Sequence, residues 1–420
     1  MEPSDLLKTP LDWAILFYSA YIVLTSSNLI GTAKELAPLP IFYWLTVLAL
    51  DNEEKILRYM KWWAAMLLTL AGFGVAQLYG VDFTGGQEIT DAFKGRLSLG
   101  TWTHNNPNAL GHSVVVAIPM VYFLLFWKST TVRRVYSVLL ILLAGYAAKE
   151  TESKGSFLVG GGAVVLALIF GKPKIVQILI LSAALAGGGT LLALLPRMEE
   201  MQSMGSDQGV QGRMLAWEIA RTSSKNHTYG EGWKVFQAYV EWEGAMYLKA
   251  THSTYVRIGA DLGYPGLFFF LLILWCNLRV LISVNTNNLD LERCRRMLFL
   301  LLATYAVSGW MIDRSYHTEY FLLAACCAAI HRLQLKQNLE LREPDANGID
   351  ESTTKQLPEN SSQVINVIYD DPSQHLGTVD KPLPKQALQK WPKLGFVDLC
   401  IAYVLTIATL ETWDYLMKNI

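Results

Sequence analysis

The feature that most constrains this chain is the recurrence of long apolar stretches, near 11–30, 36–50, 62–80, 108–127, 134–149, 155–171, 174–195, 254–283, 297–313 and 318–333, with another at 396–413. A helix needs roughly 20 apolar residues to cross the hydrocarbon core of a bilayer, and there it must satisfy all its backbone polar groups internally. The pattern predicts an all-α polytopic membrane protein with about ten or eleven transmembrane helices. The stretch 36–50 is short and is expected to be tilted or partly buried. The last one ends among Glu411, Asp414 and Lys418, so it is read as either spanning or surface-lying.

Basic residues give the threading. Lys55, Arg58 and Lys61, then Lys128, Arg133 and Arg134, then Lys172 and Lys174, then Arg293, Arg295 and Arg296 fall in alternate short loops. The positive-inside rule puts these loops, and the N-terminus, in the cytoplasm. Loops 81–107 and 149–154, the long loop 196–253 and a short segment around 313–317 then face outward. Three regions follow: a transmembrane catalytic domain over 1–333, a cytoplasmic tail over 334–395, and a C-terminal apolar helix over 396–420. The tail holds six of the fifteen prolines with many Gln, Asn and Ser, and is expected to be disordered.

Composition excludes several classes. With 35 basic and 36 acidic residues there is no nucleic-acid footprint. The five cysteines lack metal-ligand spacing and a disulfide framework. No HExxH, Walker loop or GxSxG is present, which removes the usual hydrolases and NTPases. An outward face has no ATP, so chemistry there needs an activated donor carried through the membrane.

The distinctive polar residues gather on that face. His252 stands where a helix should begin, with Thr251 or Ser253 available as cap, and a helix N-terminus disfavours imidazolium. Arg213 and Trp217 are four apart and share one helix face. Arginine suits phosphate because its planar fork is bidentate and always charged. Arg96, Arg221 and Arg257 face the same way, and Lys154 opens an apolar helix. The loop aromatics Trp217, Trp233, Phe236 and Tyr239 can stack on sugars, although an interfacial belt or small core is the favoured reading for most. Asn105 and Asn106 sit in a polar loop entering a helix, where turn chemistry is favoured. Asp313, Arg314 and His317 form a further outer cluster whose spacing decides nothing.

In chain order, GTWTHNNPNALG at 100–111, TESKGSF at 151–157, GRMLAW at 212–217 and THSTYVRIGADLGYPG at 251–266 resemble the O-antigen ligase and O-antigen polymerase superfamily, which also contains bacterial protein O-oligosaccharyltransferases. The resemblance covers roughly residues 60–330 and is most specific in the last two motifs, which flank one long loop. It implies a GT-C-like glycosyltransferase of lipopolysaccharide biosynthesis, multi-pass in the bacterial inner membrane with its active site facing the periplasm. The donor it implies is a glycan on undecaprenyl diphosphate; the acceptor is lipid A core, a growing glycan or a protein. No cofactor and no metal are expected.

The resemblance places the catalytic base on His252 and diphosphate binding on Arg213 and Lys154. Lys154 departs from the family, where an arginine is usual, because an ammonium is a point charge without a fork. Arg257 is a further candidate diphosphate ligand; Trp217, Asn105 and Asn106 are candidate substrate contacts. The expected reaction is inverting transfer. A transporter or flippase for a related lipid is the alternative; it would call for charges inside the spans and repeat symmetry between halves, neither of which the sequence displays.

Overall fold

Helices dominate the chain because its apolar stretches leave no other way to pair the backbone out of water. The structure, a computed structural model, describes residues 7–84, 95–100, 104, 106–193, 208–242, 244–284, 286, 288–340 and 393–419. Asn105 and most of the expected tail, 341–392, lie outside the described residues.

Helix α1 (Pro10–Leu24) opens with a capping box: the Thr9 amide donates to Asp12 at 2.7 Å and the Asp12 amide to Thr9 Oγ1 at 3.2 Å. The run expected over 11–30 stops at Leu24, because Asn28 accepts from the Gly31 amide at 3.0 Å and starts α2 (Leu29–Leu36). The short stretch 36–50 is supplied largely by α3 (Pro38–Ala49). Helix α4 (Glu53–Leu78) begins well before the expected residue 62, capped by Asn52 and carrying the pairs Lys55–Asp51 and Arg58–Glu54 on its polar turn.

Next come α5 (Pro107–Val121) with one π turn (Tyr122–Phe126), α6 (Thr131–Glu150), α7 (Lys154–Ile169) and α8 (Lys174–Ala193). Helix α9 (Gln208–Asn226) and an antiparallel hairpin, β1 (Ala238–Trp242) with β2 (Ala245–Lys249), occupy the described part of the long loop. The chain closes with α10 (Thr254–Ser283), α11 (Leu289–Ser308), α12 (Thr318–Glu340) and α13 (Phe396–Asn419).

The helix α5 with its π turn, α6, α10 and α13 are each long and apolar enough to cross a bilayer, and α1, α7 and part of α8 are shorter apolar helices. Their outer faces are as greasy as the core: Leu139, Leu142, Ile178, Leu179, Tyr403 and Val404 are exposed. Single exposed apolar residues are ordinary on soluble proteins, but whole helix faces of them are not. The chain is a multi-pass membrane protein.

Helix α10 runs through the core, where the Tyr320 ring stacks on Phe270 at 4.5 Å and on Tyr305 at 5.0 Å. It breaks at Gly263, whose φ of 65° is left-handed and whose missing Cβ admits the Thr228 carbonyl. Pro265 follows and has no amide to give. The groups freed by the break are taken by the loop before the hairpin: Glu231 N donates to Ala260 O at 3.1 Å, Gly232 N to Asp261 O at 2.8 Å, and Tyr264 N to Thr228 O at 3.1 Å. Contrary to expectation, charges do enter the apolar helices, and the buried ones are paired. Asp12 accepts from Tyr43 at 2.7 Å and from Arg332 at 3.0 Å, and Asp398 pairs with Arg279. The stretch 396–413, open to two readings in the sequence, packs antiparallel along α10, with Asp398 beside Arg279 and Trp413 beside Gly259.

Candidate functional site

One end of the bundle collects the segments at 95–100, 106–108, 151–155, 208–242, 244–253 and 309–319. The turn at 251–254 is stitched to the end of α11. Ser253 caps α10, accepting from Val256 N at 3.4 Å, and its hydroxyl donates to Gly309 O at 3.1 Å. The Thr254 amide donates to the same carbonyl at 2.7 Å, its hydroxyl to Ile312 O at 2.9 Å, and Arg314 N donates back to that hydroxyl at 3.0 Å. These bonds hold His252 at a φ of 47°, a left-handed conformation that a non-glycine residue keeps only when its surroundings insist on it.

His252 borders a cavity of about 490 Å³. Trp63, Leu67 and Leu70 of α4, with Leu322 of α12, make its apolar side. His104 and Asn106 line it from just before α5, Asn108 and Ser113 from α5, Asp313, Arg314 and His317 from the turn between α11 and α12, and Glu319 from the start of α12. Burial, then the Arg213 charge, depress the His252 pKa to about 4, with Asp313 opposing. The imidazole is therefore neutral at pH 7 and has a lone pair to accept a proton. Burial likewise lowers His104 and His317, each helped by Arg314.

Arg213, half-buried on α9, is the cation whose field reaches His252. Trp217, one turn on, is 5% exposed, donates its indole N–H to Thr251 O at 2.7 Å and lies 6.0 Å from the Trp310 ring. It lies beneath the His252 turn, packed with Phe236 in a small core. Lys154 is the first residue of α7, capped by Ser153, and its neighbour Gly155 packs against Met311 on the cavity wall. Arg257 binds Asp261 through Nε at 2.7 Å, and Asp261, fully buried, also accepts from Phe236 N at 3.0 Å and Tyr316 at 2.9 Å. Arg257 is thus charge-balanced next to the α10 break. Asn106 caps α5, accepting from Asn108 N at 2.8 Å, and lines the cavity.

Several cavity residues carried too little signal in the sequence. Arg314 pairs with Glu319 and donates to Ser113 Oγ at 2.8 Å and Ala109 O at 3.2 Å; His104 Nε2 lies 3.2 Å from the same Ser113 hydroxyl. Arg96 donates to Thr151 O and Asn108 Oδ1, both at 2.9 Å, joining the loop before α5 to the turn before α7. The available clue was the threading itself, which puts the loops 81–107, 196–253 and 313–317 on the same side of the spans. Among the described residues no group of three or more His, Cys, Asp or Glu is placed to hold a metal ion.

Residues 139–271 match the sequence model of a family described as O-antigen ligase. A comparison with curated proteins finds no match. The matched stretch runs from α6 past the break in α10 and contains Lys154, Arg213, Trp217, His252 and Arg257. This partial match supports the O-antigen ligase superfamily, whose members are glycosyltransferase-like enzymes.

Proposed function

We propose that this protein transfers a glycan from an undecaprenyl-diphosphate carrier to an acceptor hydroxyl, at the periplasmic face of a bacterial inner membrane. The observation that carries the reading is the neutral imidazole of His252 beside a cavity, with the Arg213 charge next to it. His252 takes the proton of the acceptor hydroxyl as its oxygen attacks the anomeric carbon. The bond from that carbon to the diphosphate oxygen breaks, and the diphosphate leaves with the bonding pair, so a single displacement inverts the anomeric centre. Arg213 and Lys154 stabilise the negative charge that develops on the leaving group. Arg257, charge-balanced by Asp261, braces the first turns of α10, while Asn106 and the flanking polar residues receive sugar hydroxyls.

Basicity fits the order of events. A base of pKa near 4 is weak, and a general base works best near the operating pH. Arrival of the diphosphate beside Arg213 offsets that positive charge and raises the imidazole's affinity for a proton. The base thereby strengthens when the donor is in place.

The deciding experiment uses purified protein with a polyprenyl-diphosphate-linked glycan and an acceptor. His252→Ala should insert normally and bind donor yet lose roughly 10²–10⁴-fold in transfer. Near-native transfer by that variant moves the base elsewhere. Since cations of the chain take the leaving-group role, the native enzyme should also work in excess EDTA; loss restored by Mn²⁺ would assign that role to a metal.

A further inference from the structure

We propose that the C-terminal helix α13 is a positioning element of the transfer site, with Asp414 holding Arg221 and thereby setting the helix that carries Arg213 and Trp217. The proposal rests on the reading of His252 and Arg213 given above.

Three residues on α9, Arg213, Trp217 and Arg221, recur at intervals of four and so form one row along the helix. Each has a different duty. The Arg213 charge acts on His252, and Trp217 holds the Thr251 carbonyl beside it. Arg221 is gripped by α13: its Nε and one terminal nitrogen each donate to Asp414 at 2.7 Å, while the other donates to the Tyr264 hydroxyl at 3.2 Å. A two-pronged arginine–carboxylate contact fixes orientation as well as distance. Rotation of α9 about its axis, which would swing Arg213 away from His252, breaks both prongs.

Packing beside the ion pair enforces the same register. Trp413 is fully buried among Ala216, Trp217 and Ala220 of α9 and Val256 and Ala260 of α10. Its ring approaches Gly259 so closely that a Cβ there would come within 2.9 Å. The Arg221 guanidinium lies 5.5 Å from the Trp413 ring centre. At its other end α13 is clamped to α10 by Asp398, which accepts from the Trp275 indole at 2.9 Å and pairs with Arg279. Two anchors on one rigid helix leave little freedom for the end that seats α9.

The test compares Asp414→Asn and Arg221→Gln with the native full-length protein, measuring donor KM, turnover, pH–rate profile and amount of folded protein. Misplacing a reacting group by about 1 Å costs on the order of 10²-fold, so Asp414→Asn should lose turnover on that scale at native protein levels. The profile supplies a reading that mere destabilisation does not move. His252 is faced by Arg213 from α9, by Asp313, Arg314 and His317 from the turn before α12, by Glu319 of α12 and by His104 before α5. Only Arg213 rides on the helix that Asp414 holds. Its retreat should move the acid limb up towards the ordinary histidine value of about 6.5.

Asp414→Glu keeps the charge on a longer stem and should recover part of both properties; it also serves if Asp414→Asn does not accumulate. Native turnover with an unmoved acid limb in Asp414→Asn, or in Asp414→Glu when only that variant accumulates together with a native Arg221→Gln, overturns the proposal. His252→Ala and Arg213→Ala run alongside. If both transfer normally, the site reading itself fails; if both are inactive while the Asp414 and Arg221 variants behave as native, only the positioning role fails.

Discussion

The indole N–H of Trp217 donates to the carbonyl of Thr251 at 2.7 Å, tying the helix of Arg213 to the residue immediately before His252. Arg213 and His252 are far apart in sequence, and this bond joins the two segments that carry them. Trp217→Phe keeps an aromatic ring but leaves a buried carbonyl without its donor, a loss of about 1–3 kcal/mol. The variant should fold, lose thermal stability on that scale and transfer more slowly. Thermal inactivation in detergent and single-turnover transfer check both; native values for each would make the bond dispensable.

The pH dependence follows from the depressed His252 pKa. In the free enzyme the imidazole protonates only near pH 4, so kcat/KM should stay level down to that region and fall below it. In the donor complex the diphosphate offsets Arg213, so the acid limb of kcat should lie at higher pH than that of kcat/KM. Coincident limbs near 6.5 would mean that neither burial nor Arg213 governs this histidine.

In the proposed mechanism Arg213 and Lys154 would divide the leaving-group charge unequally. Arg213→Ala should abolish most transfer, and Arg213→Lys should keep a small part because the charge survives without the fork. Lys154→Arg should be tolerated, whereas Lys154→Ala should be harmful. Rates for all four variants, normalised to membrane levels, settle the assignment; native transfer by both alanine variants removes it.

Gly263 is the structural pivot of α10. A Cβ there meets the Thr228 carbonyl, and φ of 65° is strained for any side chain. Gly263→Ala should destabilise the protein by at least ~1 kcal/mol and loosen the loop that plugs the break. A thermal scan with limited proteolysis around 227–232 reads both effects; unchanged melting would contradict the packing.

Much of the architecture was legible in the residues. Apolar length announces a membrane helix because only an internally bonded backbone survives in lipid. A cap at Thr251 or Ser253 and Lys154 as a helix start were readable from local chemistry; the structure uses Ser253. Helix boundaries were less so: the expected starts at 62 and 297 moved to Glu53 and Leu289, since flanking charges such as Arg58–Glu54 and Arg296–Glu292 pair within the helix and extend it. What only the tertiary structure decided is which distant polar residues share a cavity. Arg314 belonged to an outer cluster whose spacing decided nothing until packing brought it beside Ser113 and His104, and Trp217 turned out to lie beneath the His252 turn. The course of α13 along α10 was likewise invisible, because a chain's periodicity reports which face is apolar and nothing about which neighbour will cover it.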